Sequence, residues 1–183
     1  MADPTPFANY YSQRVGKWRG TLHVEFTSWS GFWAAPMSLL DRFRNLGTFL
    51  SARLIGPATM LTTVRYPWQG NPREIFHTTR IVKWGMTLMW SSETFALLPD
   101  NDRAFRVSGT LFMVPLPGAG SDYGDSSGEI VDDAGNAANY HFRWMGQMLE
   151  QRTAGLDGRL ALHQMNPWSR NMTVLERYSL TPD

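Results

Sequence analysis

The sequence predicts an all-β protein: an antiparallel meander β-barrel of about 8–10 strands with one short helix inserted after the first strand. Two observations support this prediction. Polar and apolar residues alternate from residue 17 to residue 26, which is the period of a half-buried strand. After residue 48, apolar segments follow one another at short intervals, separated by Gly, Pro, Asn and Asp turns. Consecutive antiparallel strands favour a closed sheet, because closure removes exposed edges.

Composition narrows the classes of function. The 183 residues are expected to form a single barrel domain over residues 1–183, with residues 1–8 as a loose N-terminal lead-in. The net charge is +1 without a block of Lys and Arg, so we expect no nucleic-acid partner. The chain has no cysteine, which excludes disulfides, thiolate metal ligands and a cysteine nucleophile. Without a signal-peptide pattern or a long apolar run, we expect a cytoplasmic protein with no stable membrane insertion.

The opening strand is the best-defined element of the sequence. We expect one or two helical turns over Asn9–Val15, followed by a strand over Lys17–Ser28. Trp18, Leu22 and Phe26 lie on the apolar parity of this strand, and polar residues occupy the other parity. These three side chains are therefore expected to face the barrel interior and to line a ligand site.

Residues 34–46 carry the pattern of an amphipathic helix. Apolar residues recur about every three positions, at Met37, Leu40, Phe43 and Leu46. Pro36 suits the first helical turn, and Gly47 is expected to end the helix. Such a helix is either a lid packed on the sheet or, since Arg42 and Arg44 lie beside large apolar residues, a membrane-surface element.

The rest of the chain is expected to be strand after strand, joined by short turns. The expected strands are Thr48–Ile55, Thr59–Tyr66, Glu74–Lys83, Met86–Leu97, Ala104–Val114, Glu129–Val131, Asn139–Thr153, Arg159–Met165 and Met172–Leu180. Pro115–Ser127 is the largest irregular stretch. We expect this loop and the helix to gate the mouth of the barrel.

A few residues in the first and last strands carry a family resemblance: Gly16, Lys17 and Trp18 head the first strand, and Arg177 lies in the last one. In this the chain resembles the calycin group, which comprises lipocalins, fatty-acid-binding proteins and nitrobindin-type barrels. The resemblance implies that Trp18 closes the barrel floor and that Arg177 packs across it. The early helix and the strand count look more like the fatty-acid-binding branch. The Arg-x-Tyr carboxylate clamp of that branch is not matched, because Arg177 and Tyr178 are adjacent and point to opposite faces.

His77 is the first candidate for chemistry. It shares one parity of its strand with Ile75, Thr79 and Ile81. If this parity faces inward, His77 and Thr79 are polar groups placed in an apolar wall, as in a ligand site. If the other parity faces inward, His77 is on the surface. The four histidines lack the spacing of a metal signature, so no metal site is expected.

Tyr140 is the second candidate. It shares a parity with Phe142 and Trp144, and this aromatic face is expected to point inward. The hydroxyl of Tyr140 then either sits in a packed core or acts as a hydrogen-bond donor in a pocket wall. The other expected wall residues are Met86, Trp90 and Met113, since methionine adapts to irregular apolar ligands.

These features favour a barrel that binds a small, largely apolar organic molecule in its interior, without a cofactor. One alternative is a cofactor-independent isomerase or cyclase on the same barrel. It would hold a hydrophobic substrate in a reactive conformation while His77 and Tyr140 polarise it. A second alternative is a haem-binding barrel with one histidine as the axial ligand. A barrel filled by its own side chains, working through its surface, is the third. The sequence leaves the ligand and the oligomeric state open.

Overall fold

A computed structural model describes residues 5–67, 71–113, 121–122, 126–144, 147–156, 158–165 and 168–178. Its helices are α1 (Pro6–Ser12), α2 (Trp29–Ala34) and α3 (Leu39–Ile55). Its strands are β1 (Gly16–Phe26), β2 (Ala58–Arg65), β3 (Glu74–Lys83), β4 (Met86–Leu97), β5 (Ala104–Met113), β6 (Ser121–Asp122), β7 (Ser126–Ile130), β8 (Ala137–Trp144), β9 (Gln147–Leu156), β10 (Arg159–Met165) and β11 (Ser169–Arg177).

Ten of these strands close into one antiparallel meander barrel, which confirms the predicted fold class. Neighbouring strands in the sequence are neighbours in the sheet, except that β5 pairs with β7 around the two-residue β6. Closure comes from β11, which returns to pair with β1 and sets Trp18 opposite Arg177. The first and last strands thus satisfy each other's backbone groups instead of exposing them.

β1 has the alternation that the sequence predicts. Trp18 is buried, and Leu22 and Phe26 are half-buried, whereas Arg19 and His23 are exposed. The strand ends at Phe26 instead of Ser28, because the hydroxyl of Ser28 accepts a hydrogen bond from the backbone N–H of Gly31 and caps α2.

α1 begins earlier than predicted and is not part of a loose lead-in. The hydroxyl of Thr5 accepts a hydrogen bond from the Ala8 N–H at 3.2 Å, and Pro6 occupies the first turn. Phe7 is completely buried. The prediction of a loose segment over residues 1–8 is therefore corrected for residues 6–8, because a cap and a buried aromatic side chain fix them.

The long helix differs most from the prediction. α3 continues through Gly47, so the predicted strand Thr48–Ile55 is wrong. A Cβ at Gly47 would meet no atom within 4 Å, so this glycine marks neither a turn nor a close contact. Leu50 and Leu54 continue the apolar spacing of the first half of the helix. This helical spacing outweighs the tendency of a short apolar run to form a strand.

A second correction concerns the predicted strand Asn139–Thr153. The structure has two strands there, β8 and β9, paired in a hairpin in which Trp144 lies opposite Gln147. Residues 145 and 146, between the two strands, lie outside the described residues. Of the predicted loop Pro115–Ser127, residues 115–120 and 123–125 lie outside the described residues.

The helices lie at opposite ends of the barrel. α1 precedes β1, and the backbone N–H of Phe7 donates to the carbonyl of Asp102 in the β4–β5 turn. α2 and α3 connect the far end of β1 to the start of β2. Phe32 of α2 packs there with Ala35 and Trp168. Each end of the barrel is thus covered by a helical segment with its own buried cluster.

Candidate functional site

The barrel interior holds a cavity beside α1. The cavity has a volume of about 50 Å³. Its apolar lining comprises Val64, Phe95, Val107, Phe142, Leu160, Leu162 and Leu175. The polar side chains that reach it are Tyr10, Tyr11, Arg14, Thr62, His77, Glu93, Tyr140, Gln151 and Thr153. These come from separate elements, so only the closed fold brings them together.

Four hydroxyl groups form a hydrogen-bonded chain along the cavity. The Tyr140 hydroxyl lies 2.8 Å from that of Tyr10 and 3.4 Å from that of Tyr11. Tyr10 also bonds the hydroxyl of Thr153, which donates to the carbonyl of Ala138 at 3.5 Å. Tyr11 stands at the open end of the chain, with Tyr140 as its one hydrogen-bond partner among the described residues. Its hydroxyl is therefore available to a bound molecule.

Two phenols of this chain, those of Tyr11 and Tyr140, are held in the neutral form. Burial raises the pKa of Tyr11 well above its usual value, and the neighbouring Tyr10 raises it further. Burial also raises the pKa of Tyr140, with Tyr10 and Tyr11 adding to the effect. At neutral pH these two hydroxyls thus carry their protons, so they suit hydrogen-bond donation to an oxygen and not proton removal as phenolates.

Arg14 provides a buried positive charge beside the same chain. Its guanidinium lies 3.5 Å from the centre of the Tyr10 ring and donates to the backbone carbonyls of Tyr10, Gly135 and Asn136. Its Nε is buried and has no hydrogen-bond partner among the described residues. The carbonyl of Arg14 accepts from Nε1 of Trp18 at 2.7 Å. This positive charge, held by carbonyl dipoles and the Tyr10 ring, makes this end of the cavity attractive to oxygen acceptors.

A histidine–carboxylate pair lies on another wall of the cavity. Nδ1 of His77 is 2.6 Å from Oε2 of Glu93, and the two side chains are 19% and 13% exposed. The pair arises from the register of β3 and β4, which sets the two residues directly opposite each other. The His77 ring also packs edge-on against Phe95. When His77 is neutral and donates from Nδ1, its Nε2 is an acceptor or base.

Comparisons with known proteins show the fold. No protein-family profile matches the chain, and no curated protein sequence is significantly similar to it. Rv2717c from M. tuberculosis matches with a TM-score of 0.55 and 12% identity over 97% of this chain and 100% of that one. As-p18, an extracellular fatty acid binding protein, matches with a TM-score of 0.50 and 9% identity over 92% and 99%. The REP1-NXSQ fatty acid transporter has a TM-score of 0.44 and 12% identity over 93% and 99%.

The fold is that of a calycin-like barrel. Trp18 and Arg177 take the places that the resemblance implies for such a barrel. Trp18 is buried with Leu160 and Leu175 around it. The guanidinium of Arg177 lies 4.9 Å from the centre of the Trp18 ring and donates to the carbonyl of Gln13. Trp18 thus helps to close the barrel and holds Arg14 in place, but it does not line the cavity described above.

Three of the predicted site residues come together in the calycin-like barrel. His77, Tyr140 and Phe142 all line the cavity. The parity of β3 that the sequence left open is settled by its neighbours: Thr79 is buried, whereas Arg80 is exposed. Since alternate residues face alternate sides, His77 and Thr79 face the interior.

Four residues that were predicted to line the ligand site either lie away from the cavity or have side chains outside the described part of the chain. Phe26 packs against Trp29 and Phe32, at the α2 end of the barrel. Leu22 is half-buried on β1 but is not part of the cavity lining. The side chains of Met113 and Trp144 lie outside the described residues. The assignment of Met113 and Trp144 to a ligand site stays a prediction.

The prediction that Met86 and Trp90 line the interior is wrong. Trp90 is 39% exposed and lies opposite Arg80, an outward-facing residue of β3. Met86 is 56% exposed beside the β3–β4 turn. The register shifts between Ile81 and Val82, so one alternation cannot be extended along the whole strand.

The sequence analysis missed several residues that build the site. Tyr10, Tyr11 and Arg14 belong to α1 and its end, where a Thr-Pro capping signal was present but not used. Glu93 is a strand acid with no distinguishing sequence pattern, and only the β3–β4 register pairs it with His77. A single sequence contains no signal for that register.

The remaining histidines do not face the cavity. His23 and His141 are exposed. His163 lies opposite Met172 and Arg152, both exposed, and so belongs to the outer face. Across the described part of the chain, no group of three or more metal-ligating side chains is found.

Proposed function

We propose that the barrel binds a small, largely apolar organic molecule in its interior and holds the polar group of that molecule at the hydroxyl chain. The observation that carries the proposal is the cavity: apolar walls, and at one end the Tyr11 hydroxyl with a single partner at 3.4 Å. Small-molecule sites usually have this composition, an apolar surface with a few placed polar groups.

The chemistry of the polar end supports an oxygen acceptor as the group recognised. Tyr11 and Tyr140 carry their protons, and Arg14 adds a positive charge. A carbonyl or carboxylate oxygen would accept from such groups, whereas an ammonium group would be repelled. As-p18, which shares the fold, is a fatty acid binding protein, and this supports a ligand of the same class. It is also extracellular, so the cytoplasmic location of the present chain stays a prediction.

A matched pair of leucine variants tests the proposal. Leu162 lines the cavity, whereas Leu61 lies opposite the exposed Arg19 and Arg80 on the outer face. We expect Leu162→Phe to weaken the binding of a fluorescent fatty-acid analogue by at least about tenfold, because the added ring fills the interior. Leu61→Phe makes the same chemical change and should leave the affinity unchanged. Equal affinities for the two variants would contradict an interior site.

A second candidate function is a cofactor-independent isomerase, and the His77–Glu93 pair is the observation that favours it. The pair shares a cavity with protonated phenols. Nε2 of His77 would remove a proton next to a substrate carbonyl while Tyr11, at the end of the hydroxyl chain, donates to the developing oxyanion. The proton would then return to a different carbon of the substrate, so that atoms and charge balance.

Proton exchange distinguishes catalysis from binding alone. We expect the protein in deuterated water to speed deuterium incorporation next to the carbonyl of a small apolar ketone such as cyclohexanone, measured by NMR. His77→Gln should abolish the acceleration, whereas His141→Gln, a change at an exposed histidine, should retain it. If the wild-type protein gives no acceleration, the isomerase candidate is rejected for this substrate class, and the binding proposal is unaffected.

The haem alternative is tested with the same preparation. His77 is the histidine that borders the cavity, and its Nδ1 contacts Glu93. An ultraviolet–visible spectrum and a native mass spectrum of protein purified without added ligand separate the alternatives. A Soret band would support haem, and a co-purified apolar molecule of lower mass would support carriage.

A further inference from the structure

Large apolar side chains are exposed on one side of the two helices that cover an end of the barrel. We call this set the apolar cap; its members are Trp29, Trp33, Leu39, Leu40, Phe43, Leu50 and Leu54. Their exposed fractions range from 45% for Leu50 to 86% for Leu54. So many large apolar side chains exposed on two adjacent helices are uncommon on a free soluble protein and mark a site of interaction.

The geometry of α3 explains why the cap faces outward. Leu39, Phe43, Leu50 and Leu54 are four, seven and four residues apart, so they lie on one side of the helix. The opposite side of α3 faces the protein, since Asn45 lies there and is buried.

The β3–β4 turn extends the cap. Trp84 and Met86 are 70% and 56% exposed. Nζ of Lys83 donates to the carbonyl of Pro57 at 2.5 Å, which ties this turn to the segment directly after α3. Trp84 has a φ of 51°, in the left-handed region that bulky residues seldom adopt. The two-residue turn that joins Lys83 to Met86 requires a positive φ at both Trp84 and Gly85 (78°), so the indole stands in solvent at the tip of the hairpin.

The charges around the cap are mostly positive. Among the described side chains of α3 and the β3–β4 turn, Arg42, Arg44 and Lys83 are positive and Asp41 is negative, a net charge of +2. The aspartate, Asp41, accepts a hydrogen bond from Ser38 and pairs with Arg44 at 3.7 Å. An apolar surface that contains tryptophan and has a basic rim complements an anionic bilayer, where indoles occupy the interface and cations meet lipid phosphates.

We propose that the apolar cap docks this protein on the surface of a bilayer that contains anionic lipid. Insertion would be shallow, since the described part of the chain has no helix long and apolar enough to cross a bilayer. A symmetric dimer through the cap is disfavoured, because it would bring two positively charged surfaces together. The proposal does not depend on what the barrel holds.

Flotation with lipid vesicles tests the docking. The wild-type protein should float with vesicles of phosphatidylcholine and phosphatidylglycerol, and binding should weaken with added salt or in phosphatidylcholine alone. Phe43→Glu/Leu50→Glu should raise the dissociation constant by at least about tenfold, because it removes two apolar contacts and adds negative charge. The control is Leu98→Glu/Val131→Glu, which changes the charge equally at two exposed apolar residues of the α1 end, 42% and 40% exposed.

The outcomes separate the proposal from its rivals. Loss of flotation in the cap variant alone, with circular dichroism and thermal midpoints like those of the wild type, supports docking on lipid. Equal flotation of the cap variant and the control variant would overturn it. If the wild-type protein floats with neither kind of vesicle but forms a dimer that the cap variant abolishes, docking on lipid is rejected. The partner of the cap is then a second copy of the chain.

Discussion

Removal of the central hydroxyl of the chain, Tyr140→Phe, should destabilise the barrel. The Tyr140 hydroxyl contacts those of Tyr10 and Tyr11 in a position that is 6% exposed. After its removal Tyr10 keeps Thr153, but the buried Tyr11 hydroxyl loses its one partner among the described residues. A buried donor left unsatisfied costs about 1–3 kcal/mol, so we expect the free energy of unfolding at neutral pH to fall by about that amount.

The same variant should change the response of the protein to alkaline pH. Burial raises the pKa of Tyr11 and of Tyr140 in the folded state above the usual value of 10.0. The unfolded chain therefore releases these protons first, and the free energy of unfolding falls as the pH rises above that value. Each such phenol contributes about 1.4 kcal/mol per pH unit. Since Tyr140→Phe removes one of them, its slope should be shallower by about 1.4 kcal/mol per pH unit.

Urea denaturation followed by tryptophan fluorescence between neutral and strongly alkaline pH measures both effects. Tyr178→Phe is the control, because Tyr178 is only half-buried and its recorded hydrogen bond uses its backbone N–H. The control should reduce both the stability at neutral pH and the alkaline slope by less than Tyr140→Phe does. Equal slopes for the wild type and Tyr140→Phe would refute the reasoning, because the hydroxyl would then not be held protonated by burial.

Two further predictions concern the packing around the site. Gly128→Ala should lower the free energy of unfolding by about 1–3 kcal/mol, because its new Cβ would lie 2.3 Å from the buried ring of Phe105. Gly155→Ala is the matched control: its Cβ would meet atoms only at 3.8 Å, so urea denaturation should give unchanged or slightly higher stability. Trp18→Phe removes the Nε1 donor that lies 2.7 Å from the Arg14 carbonyl, and should cost about 1–3 kcal/mol in the same assay.

The fold class could be predicted because the barrel depends on local patterns. β1 alternates clearly, and the turns of the β-rich part carry Gly, Pro, Asn and Asp. The strand count was right partly because two errors cancelled. Thr48–Ile55 is helix and not strand, whereas Asn139–Thr153 forms two strands and not one. The first error arose because Gly47 was expected to end the helix, whereas α3 continues through it.

The site could be predicted only in part, because it depends on register. The candidates His77 and Tyr140 do line the cavity, but Glu93 was not paired with His77. The side that Trp90 faces was also wrong, since the register shift at Ile81 changes how the alternation must be counted along the hairpin. Pairing between strands is a property of the closed sheet, and a single sequence gives no direct signal for it.

The N-terminal segment shows what a local signal can reveal about such a site. Thr5 and Pro6 form a recognisable helix start. A helix from this start sets Phe7, Tyr10 and Tyr11 on one side, since they are three and four residues apart. A short helix with so many aromatic residues on one side has no stability of its own and must pack against an apolar opening. The open end of a barrel is such an opening, so the helix start, if followed through, predicts tyrosine hydroxyls at the base of the cavity.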